Sequence, residues 1–264
     1  MVRKSNTSNI KNFPRYEILG THGNSYLKFY MNTDDVIIAD GGSMCYMDGS
    51  ISLTLKQPKQ QNDTGVFGKV MKAFSGESFF SSYFVGGETS KNAELTLSTP
   101  LPGDIIALPI KAGDTWLLSS GSFLAASSNI KVSGSLKFKG ILSWGNDEGL
   151  FRTKVTADDG DGIVFVEGYG HIEKHVLKSN QELKVDNEGF LACMNGTDYT
   201  LSKAGKSVLG SWFSSEGLVM KFKGPCTLYT QTKGVKQLGD VIGNALRGNN
   251  KNSGVFKTAS KFLD

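Results

Sequence analysis

Short stretches in which apolar and polar residues alternate recur along most of the chain. Ser50-Ile-Ser-Leu-Thr-Leu55, Glu182-Leu-Lys-Val-Asp186 and Val219-Met-Lys-Phe-Lys223 are clear cases, and residues 132–138 and 150–155 follow the same period. An apolar side chain at every second position turns one face of an extended chain to a core, so each stretch predicts a half-buried strand. Clusters such as Asp158-Asp-Gly-Asp-Gly162 separate the stretches and predict hairpin turns. Helical periodicity is nearly missing before residue 233, where residues 69–74 offer one short turn. Beyond that point the period changes. Val235, Leu238, Val241, Ile242, Ala245 and Leu246 fall on one helical face and Gly248-Asn-Asn250 reads as a stop, which predicts an amphipathic helix over 235–247. Val255, Phe256, Ala259, Phe262 and Leu263 could add a second amphipathic turn.

The strands belong to a repeat. Gly121-Ser-Phe-Leu-Ala125 recurs as Glu188-Gly-Phe-Leu-Ala192, and Gly42-Ser-Met-Cys-Tyr46 is an earlier version. Ser143-Trp144 with Glu148-Gly-Leu150 recurs as Ser211-Trp212 with Glu216-Gly-Leu218, and Glu77 holds that place in the first copy. A unit of this length is a small β domain, not a solenoid turn. The expected organisation is a basic arm over 1–29, a body over 30–232 divided at about 30–110, 111–176 and 177–232, and a tail over 233–264. Phe123, Phe190, Trp144, Trp212, Leu150 and Leu218 are the expected core.

Composition supports this reading: 32 glycines against 6 prolines suit many tight turns, and 39% hydrophobic residues suffice for a core. The net charge of +4 is carried by the ends. Arg3, Lys4, Lys11 and Arg15 precede any acid, the segment after residue 232 is also basic, and the body between them is mildly acidic. Nucleic acid is therefore disfavoured as a partner, since phosphate binding needs the positive charge on the folded surface. Three scattered cysteines without a CxxC spacing give neither a disulfide framework nor a zinc site, and they suit a reducing compartment. The expected setting is intracellular, cytoplasmic first, with mitochondrial and virion-associated settings as alternatives.

Candidate chemistry is sparse. His171-Ile-Glu-Lys-His175 pairs histidines with an acid but lacks the helical metalloprotease order, and it reads as a surface stretch. Asp158–Gly162 has the composition of a calcium loop without its alternating ligands or closing glutamate, and it reads as a turn. Glu77, Glu148 and Glu216 are expected to bond turn amides. No nucleophile elbow or phosphate loop occurs, so no catalytic, metal or cofactor residue is expected and the chain reads as non-enzymatic. The stripe on the tail, flanked by Lys236 and Arg247, is the candidate interaction site; it must be covered by the β body, a partner chain or a lipid surface.

The series Gly42-Ser-Met44, Phe74-Ser-Gly-Glu77, Pro102-Gly-Asp104, Gly121-Ser-Phe-Leu-Ala125, Glu148-Gly-Leu150, Val166-Glu-Gly-Tyr-Gly170, Ser215-Glu-Gly-Leu218 and Lys223-Gly-Pro225 through Tyr229-Thr-Gln-Thr232 resembles the Aim "altered inheritance of mitochondria" family over about residues 30–234. The resemblance implies an all-β fold like that of the trp RNA-binding attenuation protein, with three tandem antiparallel units in a pseudo-threefold body. It implies no catalytic residue. The expected function is a β scaffold that assembles with itself, a trimer included, or with a larger complex. A peripheral membrane protein using the tail, a component of a virus particle and a nucleic-acid binder are the alternatives.

Overall fold

The computed structural model of the chain describes residues 3–4, 10, 12–55, 81–134, 153–203 and 218–248. Two strands, β1 (Arg3–Lys4) and β2 (Arg15–Thr21), precede a unit of six. The first unit is β3 (Asn24–Met31), β4 (Val36–Asp40), β5 (Met44–Met47), β6 (Ile51–Thr54), β7 (Ser81–Gly86) and β8 (Ala93–Ser98). The second is β9 (Gly103–Ile110), β10 (Thr115–Leu118), β11 (Phe123–Ser127), β12 (Ile130–Gly134), β13 (Thr153–Ala157) and β14 (Gly162–Tyr169). The third is β15 (Ile172–Leu177), β16 (Glu182–Asp186), β17 (Phe190–Met194), β18 (Tyr199–Lys203), β19 (Leu218–Lys223) and β20 (Cys226–Gln231). A helix, α1 (Val235–Gly248), follows, at the place where the apolar period predicts one.

One antiparallel pairing scheme serves all three units. The sixth strand lies between the first and the third, and the fifth between the second and the fourth. The fifth-strand pairs are β4 and β6 with β7, β10 and β12 with β13, and β16 and β18 with β19. Each unit is thus two half-sheets of three strands. Neighbouring units join them: β4 pairs with β11 and β10 with β17, making two six-stranded sheets. The half-sheets left at the ends are β16-β19-β18 and β5-β8-β3, the latter extended by β2 and β1.

The repeated Phe-Leu-Ala motif has a geometric cause. The register shifts between Phe123 and Ala125, between Phe190 and Ala192, and between Met44 and Tyr46, so a β-bulge sits at the same place in every unit. A bulge turns two consecutive residues to one face. Leu124 and Ala125 accordingly join one core while Phe123 and Ala126 join the next, and Leu191 with Ala192 against Phe190 with Cys193 repeat the division. The preceding turn follows its residue types. Gly42 and Gly121 adopt φ of 88° and 69°, a left-handed conformation that costs glycine little. The third copy has Glu188 there, and the chain makes a 3-10 turn instead, capped by Asp186 accepting from the Glu188 N–H at 2.8 Å.

Three cores lie between four successive layers. The first sheet packs on the β4-containing sheet through Phe29, Leu95, Phe84 and Phe165; that sheet packs on the β10-containing sheet through Phe123, Val164, Trp116 and Leu191; and the last half-sheet covers it through Phe190, Met220 and Phe222. Strands of the inner layers are covered on both faces, which is why β14 reads Ile-Val-Phe-Val without alternation. The segment Asp158–Gly162 is the β13–β14 hairpin turn. Its carbonyls at 159, 160 and 161 accept from the Asn129 amide, and Asp161 pairs with Lys111 at 2.7 Å. Glu77, Glu148, Glu216, Trp144, Trp212, Leu150 and residues 69–74 lie outside the described residues, while Leu218 opens β19.

Candidate assembly interface

Two strand edges set the ends of the stack apart from its middle. Across the internal junctions Ala39 faces Ala125 and Leu118 faces Ala192. Counting along the repeat, the same two positions in the end half-sheets are Val185 on β16 and Tyr46 on β5. Neither edge has a second strand partner among the described residues. Exposure follows. Every residue of β11 is buried, as are the first four of β17, whereas Met44, Cys45 and Tyr46 of β5 are exposed. Met44 is 40% exposed where Phe123 and Phe190 are 2% and 1%.

The groups around the edges are polar and paired. Lys28 donates to Glu94 at 2.8 Å and lies 5.6 Å from the Tyr46 ring, and the Glu94 hydrogen bond holds its ammonium above the ordinary lysine range. Beside the other edge, Lys221 meets Glu182 at 2.7 Å. An unpaired strand edge presents a row of N–H and C=O groups that templates pairing with another strand. Such an edge with exposed Met44 and Tyr46 beside it is a candidate interface.

The residues singled out on the tail lie on α1. Val235, Val241, Ile242 and Leu246 are exposed, Val241 by 67%, and Leu238 is half-buried. Lys236 and Arg247 lie on the same helix. Of the three coverings open to the stripe, the described body supplies none beyond the first turn. That turn is fixed by Glu188, whose carboxylate accepts the Lys236 N–H at 3.1 Å and so satisfies one free donor at the positive end of the helix.

The two histidines of the His-Ile-Glu-Lys-His stretch do not converge. His175 Nε2 bonds the Thr230 hydroxyl at 2.8 Å, while His171 turns to Asp104 and stands near His22. Sequence reasoning passed over Asp104 as a site residue, because only the folded register brings Ser25, Asp104 and His171 to equivalent places, on β3, on β9 and just before β15. Glu167 is a second missed acid. It is buried, its Oε2 has no hydrogen-bond partner among the described residues, and burial, helped by Asp40, pushes its carboxyl up to about 8.

The family model described as mitochondrial biogenesis AIM24 matches residues 16–233, which spans all three units. The chain belongs to this family. No curated protein matches it. Among solved structures, this AIM24-family chain resembles protein SPYM3_0169 from Streptococcus pyogenes, with a TM-score of 0.66 and 22% sequence identity over 88% of this chain and 99% of that one. At that identity the likeness establishes the fold alone.

Proposed function

We propose that this AIM24-family chain is a non-enzymatic β scaffold that assembles head to tail with copies of itself, β16 of one copy pairing with β5 of the next. The observation that carries the reading is the repeat itself: the same two edges are paired at both internal junctions and open at both ends. Joining a β16-β19-β18 half-sheet to a β5-β8-β3 half-sheet repeats the internal junction, in a sheet that β2 and β1 extend to eight strands, and covers Met44 and Tyr46. The two edges differ, so the contact is heterologous, and such contacts close into rings or run on as filaments according to the rotation per copy. A ring would leave neither the β16 nor the β5 edge unpaired in any copy. The family's description gives mitochondrial biogenesis as the context in which such a scaffold would act.

Light scattering on the full chain tests this. A multiple of the 28.5 kDa chain mass is expected, reduced to one mass by Tyr46→Asp, which sets an unpaired charge in the joined sheet. A single-chain mass at all concentrations would overturn the reading.

A further inference from the structure

The sequence contains three histidines, and the fold brings two of them, 149 residues apart in the chain, to one buried carboxylate. His22 sits on the β2–β3 hairpin turn, His171 on the turn between β14 and β15, and Asp104 near the start of β9. The His22 and His171 rings stand edge to face with centroids 5.3 Å apart. Both direct Nδ1 at Asp104 Oδ2, at 3.7 Å and 2.5 Å, and one ligand atom from each residue lies within 4.8 Å of the others. We propose that His22, Asp104 and His171 bind one divalent transition-metal ion of the zinc type.

The shape of the site favours a metal over a simple hydrogen-bonded pair. In a tetrahedral centre with bonds of about 2.0–2.1 Å, ligand atoms stand roughly 3.3 Å apart. The His22 separation of 3.7 Å is close to that spacing and too long for a hydrogen bond. The shorter His171 contact holds a proton, which a metal would displace into solvent, and the half-exposed His171 side chain has room to swing by the difference. The carboxylate is held for the purpose. Oδ1 accepts from the Gly23 N–H at 2.7 Å and the Ser25 hydroxyl at 3.4 Å, leaving Oδ2 to the imidazoles with the Ile172 N–H at 3.4 Å. Such outer hydrogen bonds orient a ligand before the ion arrives.

Two imidazoles and one carboxylate suit zinc and its neighbours, whereas calcium and magnesium take oxygen ligands. Three protein ligands leave a fourth position open, and the site borders a cleft of about 140 Å³ lined by Thr21, His22, Ser25 and Asp104. Its ligands come from three successive sheets, β2–β3, β9 and β15, so a bound ion would tie three layers of the stack at one rim.

Zinc titration of the chelator-stripped full chain by calorimetry, with cobalt as a spectroscopic substitute, tests the site. One equivalent is expected to bind and to raise the melting temperature. His22→Ala and His171→Ala each weaken binding by at least tenfold while the metal-free chain keeps its β fold by circular dichroism, and His175→Ala binds as the natural chain does. His22 and His171 are half-exposed or more, so both variants fold. Absence of stoichiometric binding, or binding that survives the His22→Ala/His171→Ala double variant, overturns the proposal.

Discussion

Phe190 and Met44 occupy one repeat position in two environments. Phe190 fills the last core against Phe222, rings 5.6 Å apart, while Met44 lies on the open β5 edge. Phe190→Ala is expected to cost about 3–5 kcal/mol through lost transfer energy and a cavity. Met44→Ala, measured on the single chain, should stay within about 0.5 kcal/mol. Denaturant midpoints check both, and equal losses would contradict the assignment of β5 as an open edge. Glu167 gives the pH dependence. Its folded carboxyl titrates at about 8 and the unfolded one at 4.5, so between these values the folded chain holds a proton that the unfolded chain has released. Stability therefore falls as pH rises from about 4.5 to about 8, by on the order of 3–5 kcal/mol in all. Burial also raises Asp40, which adds a slope of the same sign. Thermal melts across that range should show a flatter profile for Glu167→Gln than for the natural chain.

At the scale of elements, the sequence showed what local periodicity can show. Residues 182–186 alternate because β16 has one covered face, and the tail stripe has the 3.6 period of a helix. The Phe-Leu-Ala motif was legible as a repeat, but its bulge was not, since register depends on the partner strand. Asp104 was illegible for a similar reason. Its neighbours His22 and His171 come from turns brought close by sheet stacking, and no spacing along the chain encodes that. The tail shows the limit from the other side: the stripe was plain, yet only the fold shows that the body leaves it open beyond the first turn. Truncation after Gly234 is accordingly expected to leave the denaturant midpoint of the body unchanged. A loss of folding on truncation would mean that α1 supports the stack after all.

For the whole molecule, the decisive fact is that three units make only two complete junctions. Each junction sets the second strand of one unit against the third strand of the next, and in the proposed assembly another copy would supply the third such contact. The internal registers fix the external one: Met47 on β5 occupies the position of Ala126 and Cys193, and Lys184 on β16 that of Ile38 and Leu117. Directly opposed residues on antiparallel strands have Cβ atoms about 4.5–5.5 Å apart, near enough for a disulfide to form. Exposed Cys45 is first replaced by serine to leave that edge free of other thiols. The chain carrying Met47→Cys and Lys184→Cys is then oxidised and sized under denaturing conditions. Disulfide-linked multimers are expected from the double variant and from a mixture of the two single variants as a dimer, with Lys184→Cys alone giving none; linkage absent from both samples would contradict head-to-tail assembly.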